Sequence, residues 1–132
     1  RIHYLVLQYS CNLYNKIVRG DAMLPSQMMK GILDNCILIV IAQEDTYGYD
    51  ISQKLQAYGF SDISEGTIYP LLLRLEKNGC ICSELRKSSF GPNRKYYSIT
   101  EAGRREIQAF LKHWRELQQS VAALTGGYVY ES

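Results

Sequence analysis

The sequence predicts a mainly α-helical protein with a small β-hairpin, arranged as a winged helix-turn-helix followed by one C-terminal helix. Three segments with helical apolar spacing come first, and two strand-like segments joined by a Gly-Pro turn follow them. The last long segment repeats apolar residues at alternating intervals of three and four, the heptad pattern of a helix that pairs with another helix. The order of these elements is more specific than any one of them.

Length and charge indicate one domain, or one domain with an extension, that has one basic face. The chain has 132 residues and a net charge of +2. Residues 30–65 contain two basic and six acidic residues, whereas residues 74–105 contain eight basic and three acidic ones. A basic half beside an acidic half favours contact between one face and a polyanion.

The sequence lacks the patterns that mark metal sites, membrane spans and active sites. The four cysteines lack zinc-binding spacing, and we interpret them as reduced thiols of a cytoplasmic protein. No apolar run reaches the 18 residues of a membrane span, and no membrane association is predicted. No paired-carboxylate, Ser-His-Asp or Cys-His set is recognisable, so we predict neither enzymatic activity nor a cofactor or metal.

The predicted organisation has three parts. Residues 1–22 are an extension of uncertain origin, either an appended segment ahead of a natural start at Met23 or an extra helix, and they lack the pattern of a signal peptide. Residues 23–100 are predicted to form the winged helix-turn-helix, and residues 101–125 the C-terminal dimerisation helix.

Two helices are predicted ahead of the basic half. A broad apolar face over residues 27–43 predicts the first, although the β-branched residues 37–41 also fit a strand. Apolar residues at i, i+4 and i+7 from Ile51 predict a short second helix, which Gly59 closes.

The segment from Ile63 to Gly79 predicts a third helix with a basic exposed side. Its buried side repeats apolar residues at i, i+3, i+4 and i+7 from Ile68. The opposite side carries Gly66, Pro70, Leu73 and Lys77, with Tyr69 and Arg74 at its edges. Ser64 is the expected N-cap, which places Pro70 inside the helix; either the helix begins nearer Gly66 or Thr67, or it is slightly kinked. By itself this pattern favours an ordinary surface helix.

A basic β-hairpin follows the third helix. Residues 80–87 and 94–100 have strand-like patterns, and the turn cluster Ser88–Asn93 joins them. The hairpin carries the cations Arg86, Lys87, Arg94 and Lys95. Lysines on an edge strand also serve simply to prevent aggregation, so this signal too is weak by itself. Tyr96 and Tyr97 point to opposite faces, and we expect one in the core and the other half exposed.

Together these elements predict binding to double-stranded DNA. The major groove admits one α-helix whose side chains read base edges, and a wing lays cations along neighbouring phosphates. The predicted DNA-contacting residues are Thr67, Tyr69, Pro70, Arg74 and Lys77 of the helix and Arg94 and Lys95 of the wing. Leu73 is placed to meet a thymine methyl group. A winged-helix module that binds protein rather than DNA is the alternative.

The C-terminal helix is predicted to form a homodimer. Thr100 is its expected N-cap, and its heptad positions are Ile107, Phe110, Trp114, Leu117, Val121 and Leu124. The apolar stripe of such a helix must be buried, either against a second copy of the chain or against its own domain. Pairing would also hold two recognition helices about one DNA turn apart.

Several short motifs resemble the PadR family of transcriptional regulators. They are GTIYPLL at residues 66–72, RKYYSITEAG at 94–103, GYDI at 48–51, RLE at 74–76 and Gly91-Pro92. The resemblance spans residues 28–124 and implies a bacterial repressor, dimeric through its C-terminal helix, on a pseudo-palindromic operator. In some compact members a tryptophan of this helix lines a pore at the dimer interface and stacks on flat ligands. Trp114 occupies the matching position, which implies a flat hydrophobic or aromatic effector; a plain interface anchor is the alternative.

Overall fold

The computed structural model describes residues 26–60 and 63–126, and within them it contains five helices and three strands. The helices are α1 (Ser26–Met29), α2 (Leu33–Gln43), α3 (Gly48–Ala57), α4 (Glu65–Lys77) and α5 (Glu101–Leu124). The strands are β1 (Thr46–Tyr47), β2 (Ile81–Arg86) and β3 (Arg94–Ile99). The predicted mainly α-helical fold with a small β-hairpin and a C-terminal helix is confirmed. The predicted extension, residues 1–22, lies outside the described residues.

The prediction of one continuous helix over residues 27–43 is wrong, because two helices occupy this segment. Residues 30–32 form a turn between α1 and α2, and the Ile32 backbone N–H donates to the Met29 carbonyl at 3.0 Å. Gly31 lies in this turn, where the backbone freedom of glycine weakens a helix. The alternative of a strand over residues 37–41 is also wrong, since these residues lie within α2.

The hydrophobic core lies where α2, α3 and α4 meet the base of the sheet. The apolar side chains with less than 2% exposure are Ile37, Leu38, Ile41, Ile51, Ile68, Leu72 and Ile81. The predicted stripe on α4 is confirmed, because its buried residues are Ile68, Leu72 and Leu75. Tyr97 is buried and Tyr96 half-buried, as their adjacent positions on a strand predicted.

The wing belongs to a three-stranded antiparallel sheet of order β1-β3-β2. Strands β2 and β3 form the predicted hairpin, in a register that pairs Ile81 with Ile99 and Arg86 with Arg94. The third strand, β1, was not predicted; it pairs with the middle of β3. Because α3 begins directly after β1, this pairing fixes the wing to the start of α3.

Helix α4 begins at the predicted N-cap and contains Pro70 in its interior. The Ser64 hydroxyl accepts the Thr67 backbone N–H at 3.4 Å, and Pro70 is the sixth residue of the helix. The alternative start nearer Gly66 or Thr67 is therefore wrong. Pro70 lacks the N–H that would bond the Gly66 carbonyl. Both residues lie on the exposed side, where water can satisfy that carbonyl.

Helix α5 is anchored at its start and extends well beyond the domain. The Thr100 hydroxyl accepts the Gly103 N–H at 3.0 Å and donates to the Gly79 carbonyl at 2.6 Å. A Cβ atom at Gly103 would overlap the Cys80 carbonyl oxygen, so glycine is required where the helix crosses the sheet. With 24 residues, α5 is about 36 Å long, and every residue after Trp114 within the described part of α5 is exposed.

Cys36, Cys80 and Cys82 are free thiols, and burial raises the pKa of Cys36 to about 11. Within residues 26–60 and 63–126, no helix is both long enough and apolar enough to cross a membrane. In the same described part of the chain, no group of three or more His, Cys, Asp or Glu residues could hold a metal ion.

Candidate nucleic-acid interface

The outward side of α4 is a solvent-exposed surface that carries cations at two positions along the helix. Its centre is formed by Gly66, Pro70, Leu73 and Lys77, which are all exposed. Thr67 and Arg74 lie on the edge of this side that faces α2, and Tyr69 lies on the opposite edge. The eleven residues from Thr67 to Lys77 span about 15 Å of helix, a length that fits within the major groove.

The Tyr69 edge of α4 faces the wing across an open cleft of ≈ 510 Å³. The cleft is lined by Tyr47, Gly48, Tyr49, Glu65, Tyr69, Asn93, Arg94 and Lys95. It therefore brings together three of the predicted contact residues, namely Tyr69, Arg94 and Lys95. Burial, and secondarily Glu65, raises the pKa of Tyr69 above its ordinary value. A hydrogen bond with the Glu65 carboxylate is among the causes of this shift.

Gly48 has a role in this cleft that sequence reasoning missed. A Cβ atom at Gly48 would lie 3.1 Å from the Tyr69 ring, closer than ordinary van der Waals contact. The glycine at the start of α3 therefore lets the tyrosine ring of α4 lie against that helix end. The available signal was a glycine between two tyrosines, Tyr47 and Tyr49, at the start of a predicted helix.

The outer face of the sheet carries two arginines, each stacked on a tyrosine. The Arg94 guanidinium lies 4.5 Å from the centre of the Tyr47 ring, and that of Arg86 lies 4.8 Å from the Tyr96 ring centre. The two rings are themselves 5.3 Å apart. Arg86 and Arg94 are paired in the register, so two like charges face each other across the strands. Stacking on the rings keeps both guanidinium groups in place beside each other.

The two arginines differ in how far their charge is already compensated. Arg86 donates to Asp45 at 2.8 Å and to Glu84 at 2.7 Å. The hydrogen bond from Arg86 lowers the pKa of Asp45, which keeps that carboxylate charged. Arg94 makes no ion pair with any other described residue. Arg94 is consequently the wing arginine with its charge available to a ligand.

Glu76 holds the wing against α4. Its carboxylate accepts from the Ser83 hydroxyl of β2 at 3.0 Å and lies 3.6 Å from the Lys95 ammonium of β3. One residue of α4 therefore contacts both strands of the hairpin. This contact fixes the position of Lys95 relative to the exposed side of α4.

Arg74 is held by a carboxylate that sequence reasoning did not connect to it. Its guanidinium donates to Asp34 of α2, with 56% of the arginine side chain and 32% of the aspartate side chain exposed. An ion pair at this exposure contributes about 0–1 kcal/mol, so a phosphate or a base can displace the aspartate. Forty positions separate the two residues, and no local pattern links them.

The predicted dimer and effector residues lie along α5. Ile107 is buried in the core of its own domain, whereas Leu117 and Val121 are 53% and 49% exposed. Phe110 and Trp114 are half-buried, and their rings stack with centres 6.2 Å apart. These two rings line an open groove of ≈ 520 Å³ together with Gly31, Ile32, Asn35, Glu106, Ala109, His113 and Leu117.

A basic helix beside a basic wing, on three packed helices, defines a winged helix-turn-helix protein. The chain belongs to the PadR-like family of transcriptional regulators, whose family model matches residues 37–109. The predicted resemblance is therefore confirmed. Because the family consists of transcriptional regulators, the prediction that the chain is not an enzyme is confirmed as well.

Three similar proteins support this assignment. A PadR-like transcriptional regulator from Bacillus cereus is 47% identical and has a TM-score of 0.71; the match covers 77% of this chain and 99% of that one. The transcriptional regulator Rv3488 of Mycobacterium tuberculosis is 35% identical over 91 residues, which are 69% of this chain and 80% of the relative. Bacillus subtilis PadR in complex with operator DNA is 26% identical with a TM-score of 0.56, and covers 61% of this chain and 46% of that one.

Proposed function

We propose that this chain is a DNA-binding transcriptional repressor that acts in the cytoplasm as a homodimer on a pseudo-palindromic operator. A flat hydrophobic or aromatic effector releases it. In this proposal residues 23–100 bind DNA and residues 101–125 form the dimerisation helix. Helix α4 reads the major groove through Thr67, Tyr69, Pro70, Arg74 and Lys77, while Arg94 and Lys95 contact the backbone.

The observation that carries the DNA-binding proposal is the fixed arrangement of α4 and the wing. Arg94 and Lys95 share a cleft with Tyr69, and Glu76 joins α4 to both wing strands. An exposed helix with cations fixed beside it can place side chains in a groove and cations on the flanking phosphates. That Bacillus subtilis PadR was solved with operator DNA supports the same role here.

The dimer proposal rests on the exposed end of α5. Beyond Trp114 this helix presents Leu117, Val121 and Leu124, with 53%, 49% and 84% exposure. Pairing two such helices would bury these side chains and allow one protein dimer to bind two half-sites. A dimer of winged helices reads half-sites about 34–36 Å apart, which sets the expected length of the operator.

Operator binding is expected to fall steeply with salt. The operator is first selected from a random DNA pool, and the dissociation constant is then measured by fluorescence anisotropy from 50 to 200 mM salt. If a dimer contacts about six phosphates, the affinity drops by roughly 10³-fold over this range, because bound cations release condensed counterions. The spacing of the selected half-sites tests the dimer in the same experiment.

A protein-binding winged helix would behave differently in this titration. It would select no sequence, and any residual binding to DNA would not show a common half-site. Affinity for the selected operator that does not change with salt would contradict the assignment of Arg74, Lys77, Arg94 and Lys95 as phosphate or base contacts. The selected operator with its sequence shuffled serves as the matched control for non-specific attraction.

The effector proposal is supported by the groove beside Trp114. Its other wall is the turn before α2 and the first turn of α2, where Asn35 lines the groove and the adjacent Asp34 holds Arg74. A ligand that moves this turn would therefore also move the partner of a predicted base-reading side chain. Such a ligand changes operator affinity only if it binds the free and DNA-bound states differently.

Trp114 fluorescence is expected to be quenched by acridine, a flat tricyclic compound, and not by adamantanol, which is apolar but not flat. The chain has one tryptophan, so the signal reports this groove alone. Acridine should also release the operator at the concentrations that quench fluorescence. The Trp114→Leu variant controls for acridine bound to DNA, because it should retain the operator in the same titration. Equal quenching by both compounds would contradict stacking as the mode of binding.

A further inference from the structure

The tip of the wing presents a phenylalanine that is almost fully exposed to solvent. Phe90 is 96% exposed, the highest value among the large hydrophobic residues of the described chain. It is the middle residue of the seven-residue loop 87–93, which joins β2 to β3. Single exposed apolar side chains are common on protein surfaces, so the position of Phe90 at the tip of the wing, and not its exposure alone, indicates a role.

We infer that Phe90 is a wedge that enters the minor groove beside the half-site and partly unstacks a base step there. The inference rests on the proposed DNA binding and adds a residue with a separate task to it. Apolar side chains, phenylalanine among them, are inserted between base steps by proteins that bind the minor groove. A contact of this kind would read the deformability of the flanking sequence and not its hydrogen-bonding pattern.

The position of the loop favours the minor groove. Asn93 and Arg94, which follow the tip, line the same cleft as Glu65 and Tyr69 of α4, so the tip emerges beside the first turns of that helix. When α4 occupies the major groove, the neighbouring groove across one phosphate backbone is the minor groove. A minor groove about 6 Å wide accepts a single aromatic ring edge.

The loop is also long enough for Phe90 to reach the base edges. Three residues separate Phe90 from Arg94, and the four residue steps between them reach at most about 14 Å when the chain is extended. The minor groove is about 7.5 Å deep, so Arg94 can stay at the phosphates while Phe90 reaches the base edges.

The charge and backbone of the loop are compatible with this position. Residues 87–93 contain Lys87 and no acidic residue, so nothing in the loop repels phosphates. Gly91 has a φ of 132°, a conformation that residues with side chains rarely adopt, and it turns the chain directly after Phe90. Pro92 then restricts the return to β3.

Substituting Phe90 tests the inference on the selected operator. The Phe90→Ser variant is expected to bind roughly tenfold more weakly, as is typical when an aromatic base contact is lost. Its salt dependence should equal that of the parent, because no charge is removed. Met28→Ser is the matched control: Met28 is a 73% exposed apolar residue on α1, outside α4 and the wing, and its loss should change affinity less than twofold.

A spectroscopic readout separates insertion from a general loss of affinity. 2-Aminopurine placed in the flanking base steps should brighten when the parent protein or Phe90→Leu binds, and stay quenched with saturating Phe90→Ser. Equal affinity and equal brightening for the parent and Phe90→Ser would overturn the inference while leaving the proposed function intact. If the parent protein selects no operator at all, the proposed function itself fails.

Discussion

The Leu117→Asp/Val121→Asp variant is expected to be a monomer and to bind a full operator about 10³-fold more weakly than the parent, because linked half-sites no longer bind as one unit. The two side chains lie one helical turn apart on the exposed end of α5. Two carboxylates there would have to lose their water inside an apolar interface. Analytical ultracentrifugation and anisotropy on full operators and single half-sites measure both effects.

The same variant should leave the domain itself folded. Leu117 and Val121 are 53% and 49% exposed, and neither belongs to the core, so affinity for a single half-site should stay within about twofold of the parent's affinity for the same half-site. The control is Gln119→Asp/Ala123→Asp, which adds the same charge on the opposite side of α5. We expect the control to remain dimeric. If Leu117→Asp/Val121→Asp also stays dimeric at the same concentration, this stripe is not the interface.

Local signals predicted the parts of the fold that depend on short stretches of chain. Ser64 and Thr100 cap their helices as expected, since an N-cap requires only a hydroxyl and an N–H three residues later. The α4 stripe could be predicted because burial of one helix side imposes a 3.6-residue period on the sequence. The heptad residues after Trp114 are exposed in the described chain, and their role in pairing stays a prediction.

The elements that the sequence did not reveal depend on contacts between distant residues. Strand β1 has two residues, too few to show alternation, and it exists because Thr46 and Tyr47 pair with Tyr97 and Tyr96. This strand therefore has no signature in its own neighbourhood.

At the candidate interface, too, features set by local geometry could be predicted, and contacts between distant residues could not. The exposed side of α4 follows from helical geometry alone, and Arg94 and Lys95 follow from the hairpin. The packing of Tyr69 on Gly48 and the ion pair of Arg74 with Asp34 arise only when helices meet. The second of these contacts matters most, because it changes how available a predicted base-reading cation is.

Arg74 and Asp34 are expected to shift operator affinity in opposite directions. Arg74→Ala should weaken binding about 30-fold, or ~2 kcal/mol, within the range typical of one lost side chain that reads a base. Asp34→Ala should tighten binding by up to about fivefold, since it removes a carboxylate that competes for the guanidinium in an exposed pair worth at most ~1 kcal/mol. Isothermal titration or anisotropy at fixed salt measures both, and Lys112→Ala, on α5, controls for loss of one positive charge.

The double variant Asp34→Ala/Arg74→Ala decides whether the carboxylate acts through Arg74. If Asp34 acts by holding the guanidinium, Asp34→Ala increases operator affinity little in the Arg74→Ala background, so the two effects are not additive. If Asp34 only repels the phosphates, its removal tightens binding equally in both backgrounds. Operator affinity of Arg74→Ala equal to that of the parent would instead show that this edge of α4 does not face the groove. The effector groove shares the start of α2 with Asp34, so the same cycle repeated with acridine tests whether the ligand acts on this ion pair.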